Sequence, residues 1–258
     1  MESLKKIRFL NSNTIKLIAA ISMFLDHFGI LFFPKTLWFR VLGRFAMPIY
    51  AFAIAEGCRY TKNKRKHFLL LFGLGAVCQI VYTIFDPKHL YFGILITFSF
   101  STLMIYALQY AKKCTFDKDT GIFLKIVSWL LFFTLVVCTY LFCERFAVDY
   151  GFYGSMMPVF ASLFDFHRIP APDFLKKLDV LPLRVLCMAI PLAPLALANL
   201  GVGALPVWGR VHALLAILLL LFYNGDKGKA NMKYFFYIFY PLHLALLEGV
   251  VIAIHLFF

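Results

Sequence analysis

The sequence predicts an all-α polytopic membrane protein, a bundle of about nine transmembrane helices with a cytoplasmic N-terminus. Three observations carry this expectation. Of 258 residues, 62% are hydrophobic and only 15% charged, more apolar surface than a soluble domain of this length buries around one core. Mean hydropathy is +0.81 and Phe alone occurs 31 times, so these side chains must face a solvent as apolar as themselves. The apolar residues also fall in runs of about 20, the helical length that crosses a bilayer core of ~30 Å, bounded by charge, Pro or Gly.

The runs lie at approximately 14–33, 37–57, 67–85, 91–111, 122–142, 151–165, 181–200, 205–223 and 234–257. The first has no small-residue cleavage site after it and is expected to stay in the mature chain. The sixth is short and interrupted by Gly154 and Pro158, which reads as a broken or re-entrant helix whose freed backbone groups need protein or water. Connections are short, without Ser/Gly-rich linkers or repeats, so residues 1–258 read as one domain.

The formal net charge is +13, from 26 Lys plus Arg against 13 Asp plus Glu. In a soluble protein that excess would suggest nucleic acid. With the N-terminus inside, however, twenty of the 26 basic residues fall in the clusters Lys5–Lys16, Arg59–Lys66, Lys112–Lys125, Arg168–Arg184 and Lys227–Lys233 on one face. Lys35, Arg40, Arg44, Lys88, Arg145 and Arg210 are the others. This asymmetry follows the positive-inside rule of a multi-pass protein of the cytoplasmic membrane. It makes anionic lipid the partner and removes the case for nucleic acid. The six Cys lack zinc or disulfide spacing and read as small buried hydrophobes. His67, His89, His167 and His212 lie near predicted span ends, and His255 near the C-terminus.

An ionisable residue inside a span costs about 3 kcal/mol or more to insert and marks a functional site by default. The first span carries Lys16, Asp26 and His27. Eleven residues separate Lys16 from His27, about three turns, so the two share a face roughly 16 Å apart. The second span holds Arg40 and Arg44, four apart on one face, with Glu56 near its far end. The two spans run in opposite directions, so Asp26, His27 and both arginines meet at similar depth. An ion pair from Asp26 to Arg44 or Arg40 is the economical arrangement; it serves either to pin two helices or to build a site. Adjacent helical residues point about 100° apart, so Asp26 and His27 serve different partners.

His27 suits a general base in a partly wet cavity. Three later segments are placed to converge on it: Gln79, the Asp149-Tyr150-Gly151 stretch, and Tyr240-Pro241-x-His243, where Pro241 removes a helix hydrogen bond beside His243. No phosphate-binding loop, zincin motif, serine-hydrolase elbow or metal cluster occurs.

The run from Lys16 to Asp26-His27, Arg40-x-x-Gly43-Arg44-x-x-x-Pro48, Glu56-Gly57, Thr61-x-Asn63, Gln79, Asp149-Tyr150-Gly151 and Phe239-Tyr240-Pro241-x-His243 resembles the TraX family over nearly the whole chain. That family is named for a conjugative-pilus protein that acetylates the pilin N-terminus. It looks related to integral-membrane acyltransferases, including acyltransferase family 3 and the heparan N-acetyltransferases, which use cytosolic acetyl-CoA and a membrane-embedded His.

The resemblance implies acetyl transfer from acetyl-CoA, without a metal, to an amine or hydroxyl of an envelope acceptor, a pilin N-terminus or a glycan. Catalysis would fall to His27, Asp26, Arg40, Arg44 and His243, with either His as base and the arginines orienting it or stabilising an oxyanion. Lys16, Asn63 and Gln79 would hold the donor, and Glu56, Asp149, Tyr150 and Tyr240 the acceptor. Acyltransferase family 3 has Arg eleven residues before its His; Lys16 stands there, a charge without the bidentate fork. The rival expectations are a proton-coupled transporter or flippase built on the same buried charges, and a non-catalytic scaffold for pilus or envelope assembly.

Overall fold

A computed structural model describes residues 8–85, 90–197, 207–230 and 232–257. Lys5, Lys6, Lys88, His89, the stretch 198–206 between two predicted spans, and the side chains of Lys233 and His255 lie outside the described residues. The chain divides into two compact units. One takes the described residues up to Ala53, Ala196–Leu197 and those from Val207 onward; the other takes Ile54–Leu195.

The first unit opens with α1 (Ser12–Phe32), which Asn11 caps by accepting the Thr14 N–H at 3.0 Å, offsetting one unpaired helix-terminal donor. Before the cap, the chain is tied to residues 222–226. The Leu10 N–H donates to the Phe222 carbonyl at 3.1 Å, and the Leu10 carbonyl accepts from Asn224 at 2.9 Å. The second predicted span is two helices, α2 (Leu37–Gly43) and α3 (Ala46–Tyr60), with Arg44 and Phe45 between them. Pro48 explains the break, because it has no N–H to offer the Arg44 carbonyl four residues back. The part of α3 up to Ala53 belongs to the first unit and the rest to the second. After α10 (Val207–Val211), a 3₁₀ turn at His212–Leu214 and α11 (Leu215–Leu221), the chain closes with α12 (Lys233–Phe257). α1 packs on α2 and on α12, and α10 packs on α2.

Small residues let α1 and α2 come together. A Cβ on Gly43 would collide with the Asp26 side chain, and one on Gly29 with Phe39. The Ser22 hydroxyl donates across the same contact to the Leu42 carbonyl.

In the second unit α4 (Lys64–Phe85), α5 (Ile94–Phe116), α6 (Ile122–Arg145) and α7 (Gly151–Ala161) surround a core of Cys58, Met104, Ile105, Leu108, Phe132 and Val159. α5 is the central helix. Its buried Ser99, Ser101 and Thr102 hydroxyls return to carbonyls four residues back, so the polar atoms cost little; Ser101 also donates to the Ser155 carbonyl of α7 at 2.7 Å. Two short parallel strands, β1 (Tyr91–Phe92) and β2 (Ala147–Val148), join neighbouring helix ends. A four-residue helix, α8 (Asp173–Lys176), and α9 (Leu181–Leu197) follow. On α6, Phe123, Leu130, Phe133 and Leu141 are exposed, an apolar belt that lipid covers.

Among the described residues six helical segments have the length and apolarity to cross a membrane: Ser12–Phe32, Leu37–Tyr60, Lys64–Ile84, Ile94–Phe116, Ile122–Arg145 and Phe235–Ile254. They answer to six of the nine expected runs; the described parts of the other three form shorter helices. The predicted 151–165 span is an 11-residue helix that runs unbroken through Gly154 and Pro158. Pro158 forfeits one hydrogen bond, to the Gly154 carbonyl, and the helix ends three residues later. The predicted 181–200 segment forms a 17-residue helix containing Pro191 and Pro194, and the 205–223 segment is divided by the 3₁₀ turn. Cys58, Cys78, Cys114 and Cys187 are buried as expected, whereas Cys138 is exposed on the apolar face of α6.

Replacing Gly43 by Ala is expected to destabilise the protein by about 1–3 kcal/mol, the usual cost of overpacking. Gly73, whose Cβ would meet open space, should accept Ala without loss. Thermal unfolding in detergent checks the pair.

Candidate functional site

In the first unit α1 sends its adjacent charged and imidazole residues to different helices, as the 100° step requires. Asp26 faces α2 and its continuation. Its Oδ1 lies 3.8 Å from Arg40 Nε and 3.6 Å from Arg44 Nη2, within ion-pair range and beyond hydrogen-bond range. Asp26 and Arg44 are only 9% and 7% exposed. Asp26 Oδ1 and Arg44 Nε and Nη2 are shielded from solvent with no hydrogen-bond partner among the described residues. The pairs are therefore ion pairs without a direct hydrogen bond between these atoms.

His27 turns to α12, where its Nδ1 lies 3.1 Å from Nε2 of His243. His243 is 3% exposed, and its Nδ1 lies 2.8 Å from the Phe239 carbonyl. Its ring stacks on Phe239, with centroids 4.9 Å apart and planes 8° apart, and meets the edge of the buried Tyr240 ring. A carbonyl only accepts, so in the neutral ring Nδ1 of His243 carries the proton and Nε2 holds the lone pair. Nε2 then accepts the Nδ1–H of His27, whose ring also has the Met23 carbonyl as a partner. The lone pair of His27 falls on Nε2. Two histidines thus form a directed chain that ends in one available base. Pro241 does not end α12, which continues to Phe257. Lys16 shares α1 with His27, its Nζ 6.0 Å from the Phe236 ring centroid.

The structure thus brings Asp26, His27, Arg40, Arg44, Tyr240 and His243 into one unit, with Lys16 on the same helix. Of the three segments expected to converge on His27, the one carrying His243 meets it. Gln79, Asp149 and Tyr150 belong to the second unit, where they knit the turn at β1 and β2. Gln79 donates to the Tyr91 carbonyl at 2.8 Å, and the Tyr91 hydroxyl donates to Asp149 at 2.8 Å. Burial, together with the Asp149 carboxylate, holds the Tyr91 hydroxyl pKa above its ordinary value. Tyr150 takes a left-handed φ of 59° to start α7. Asn63 is exposed and caps α4, accepting the Lys66 N–H at 2.9 Å.

Glu56 has a role that sequence reasoning missed. It accepts from Arg184 Nη2 at 2.6 Å, while Arg184 Nε donates to the Ala161 carbonyl at 3.1 Å. Beside this pair, Arg59 Nη1 bridges Asp165 at 2.7 Å and Asp179 at 2.6 Å. Lys112, 6% exposed, donates to the carbonyls of Ser162, Leu163 and Asp165 at 2.9, 2.7 and 3.1 Å. The ammonium thus closes the carbonyl end of α7, where a cation is favoured. Arg59, Lys112 and Arg184 had read as ordinary basic residues of one membrane face. The sequence signal was the depth of Lys112, one residue past the predicted 91–111 span.

A family model described as TraX protein matches residues 11–251. The chain belongs to the TraX family. Both the His27–His243 chain and the Asp26–Arg44 pair fall within the TraX match. The chain is 28% identical over 254 residues to the probable fimbrial assembly protein FimC, serogroup H1, of Dichelobacter nodosus, covering 90% of this chain and 92% of that protein. It is also 28% identical over 123 residues to an uncharacterized protein of Rickettsia prowazekii (strain Madrid E), covering 47% and 48%. No solved structure matches.

Two measurements check this geometry. Lys112→Met leaves three carbonyls without their donor and should cost about 3 kcal/mol or more, while the same change at exposed Lys113 should leave the melting temperature unaltered. Nitrogen-15 NMR of labelled histidines should find the proton on Nδ1 in the neutral forms of both His27 and His243; an Nε2 proton on His243 contradicts the chain.

Proposed function

We propose that this TraX-family protein is an integral-membrane acyltransferase of the cytoplasmic membrane, with its N-terminus in the cytoplasm. It moves acetyl from acetyl-CoA to an amine or hydroxyl of an envelope acceptor, a pilin N-terminus or a glycan. The observation that carries the reading is the hydrogen bond from His27 to His243 beside a buried Asp26–Arg44 pair, in helices otherwise suited to lipid. Packing alone requires neither imidazole.

In the reaction, the acceptor nitrogen or oxygen attacks the acetyl carbonyl carbon as its proton passes to Nε2 of His27. The new C–N or C–O bond forms, the C–S bond of the thioester breaks, and the departing CoA sulfur takes the proton back from His27. The charge developing on the carbonyl oxygen is stabilised by an Arg44 N–H. His243 acts through His27: it holds the Nδ1 proton and so keeps the lone pair on Nε2. Lys16, roughly 16 Å away along α1, meets the phosphates of CoA as a point charge, and membrane lipid surrounds the helices.

One observation favours a second reading. The relative from Dichelobacter nodosus is named for fimbrial assembly, and a non-catalytic assembly factor would fit that name. Mass spectrometry of envelope proteins and glycans with and without the gene separates the two, because only the acyltransferase leaves acetyl marks. In purified protein, His27→Ala should lower transfer by about 10²–10⁴-fold, the usual range for a general base. His243→Gln should lower kcat and displace its pH profile while KM for acetyl-CoA holds. Full acetyl transfer by His27→Ala would rule out His27 as the base. Assembly that survives His27→Ala without acetyl marks would favour the second reading.

A further inference from the structure

Polar side chains gather at the start of α1, several turns from His27. The segment between α11 and α12 folds back over them. The Ser12 N–H donates to the Asp226 carbonyl at 2.7 Å, and the Asn13 side-chain amide donates to the Ala230 carbonyl at 2.7 Å. Gly228, at a φ of 90°, lies so close that a Cβ there would collide with the side chains of Asn11 and Asn13. These two stretches, both in the first unit, line an open cleft of about 650 Å³, a size that suits a small-molecule ligand.

Three asparagine amides line the cleft, and a backbone partner fixes the orientation of each. Asn11 Oδ1 accepts the Thr14 N–H, Asn224 Oδ1 accepts the Asp226 N–H at 2.8 Å, and Asn13 donates through Nδ2. An amide has a donor end and an acceptor end. The NH₂ groups of Asn11 and Asn224 and the amide oxygen of Asn13 therefore remain, with no hydrogen bond among the described residues. Donors beside an acceptor match the edge of a purine, whose ring nitrogens accept while an exocyclic amine donates. Leu17 and Met232, in the same cleft, offer apolar surface to a flat ring. The Asp226 carboxylate suits a ribose hydroxyl, and Lys229 meets phosphate as a point charge; both line the cleft. A lipid headgroup would use these charges but not the three amides.

We infer that this cleft binds a purine nucleotide, the end of acetyl-CoA remote from its thioester. The nucleotide class follows from the cleft; its assignment to acetyl-CoA rests on the acetyl-transfer reading. Asn13, Lys16 and His27 fall within about 60° of one another around α1, and Thr14 stands roughly 20 Å from His27 along the axis. An extended diphosphate and pantetheine arm is of that length. A nucleotide seated in the cleft thus brings the thioester to Nε2 of His27, with Lys16 beside the path of the arm.

The probe is adenosine 3′,5′-bisphosphate, the nucleotide end of CoA without its arm or thiol, titrated by calorimetry onto the full chain in nanodiscs of zwitterionic lipid. The wild type should bind it saturably. Lys229→Gln should weaken binding roughly tenfold, the worth of a charged hydrogen bond, while the same change at Lys227, which does not line the cleft, should alter it little. The 2′-deoxy analogue should bind several-fold more weakly than the parent to the wild type, and equally to Asp226→Ala. Asp226 and Lys229 are exposed, so these variants should fold. Acetyl-CoA should displace the probe. No saturable binding by the wild type, unchanged binding in Lys229→Gln, or a ribose preference that persists in Asp226→Ala overturns the site. Simultaneous binding of probe and acetyl-CoA overturns the assignment to CoA. Failure of the acetyl-transfer reading is seen separately, as absent acetyl transfer with probe binding and its dependence on Lys229 intact.

Discussion

The Asp26 carboxylate, held inside helices that otherwise suit lipid, is the constraint around which the first unit is built. A lone carboxylate there would be far too costly, so α1 must pack within reach of a cation. The cations stand on α2 and just beyond it, and reach requires that the two backbones come close. Gly43 permits the approach because any larger residue would occupy the space of the Asp26 side chain. Pro48 contributes by ending the helical hydrogen bonding at Arg44, which places that guanidinium at a junction between two helices. Once Asp26 is committed to this side, the 100° step sends His27 to the opposite neighbour, and α12 supplies His243 there.

The second unit solves the same problem by complete pairing. Arg59, Arg184, Asp165, Asp179 and Glu56 form short hydrogen-bonded pairs, and Lys112 fills the carbonyl end of α7. Such a network positions α5, α7 and the segments after α7, and it leaves little capacity for a ligand. The first unit has ion pairs without a direct hydrogen bond, unused guanidinium donors and a histidine chain with a free lone pair. That difference in saturation, more than the number of charges, marks the first unit as the one with polar capacity left unfilled.

Much of this was legible from sequence because it follows from length and depth. Runs near 20 apolar residues became helices at six places, and opposite helix directions brought Asp26 level with Arg40 and Arg44. What was not legible has physical causes. A hydropathy run at 151–165 does not reveal that the turn after Ala161 ends the helix after 11 residues. Pro191 and Pro194 lie inside the helix Leu181–Leu197, where a run of hydropathy does not show them. The pairing of Glu56 with Arg184 was not legible because the two are 128 residues apart in sequence. The turn contacts of Gln79 and Asp149 were not legible, because a polar residue that ties a turn and one that binds a substrate have the same signature in a linear pattern. His243 was harder: its proximity to Pro241 hinted at a role, but its tautomer depends on the Phe239 carbonyl and hence on the folded helix.

The basic excess of +13 shows the limit of reading charge by count. The positive-inside rule explains where lysines and arginines collect, and it treats each as an equivalent solvated charge. Lys112 and Arg184 satisfy the count yet are buried and work as internal donors, while exposed Lys113 behaves as the rule assumes. Arg40, Arg44 and Arg210 fall outside the clusters that the rule explains, so their cost must be met by something local. Asp26 is one such partner, for Arg40 and Arg44. For a membrane protein of this kind, the informative quantity is the remainder after topology and internal pairing have been subtracted, and here it falls on Arg44, which is buried and whose Nε and Nη2 have no hydrogen-bond partner among the described residues.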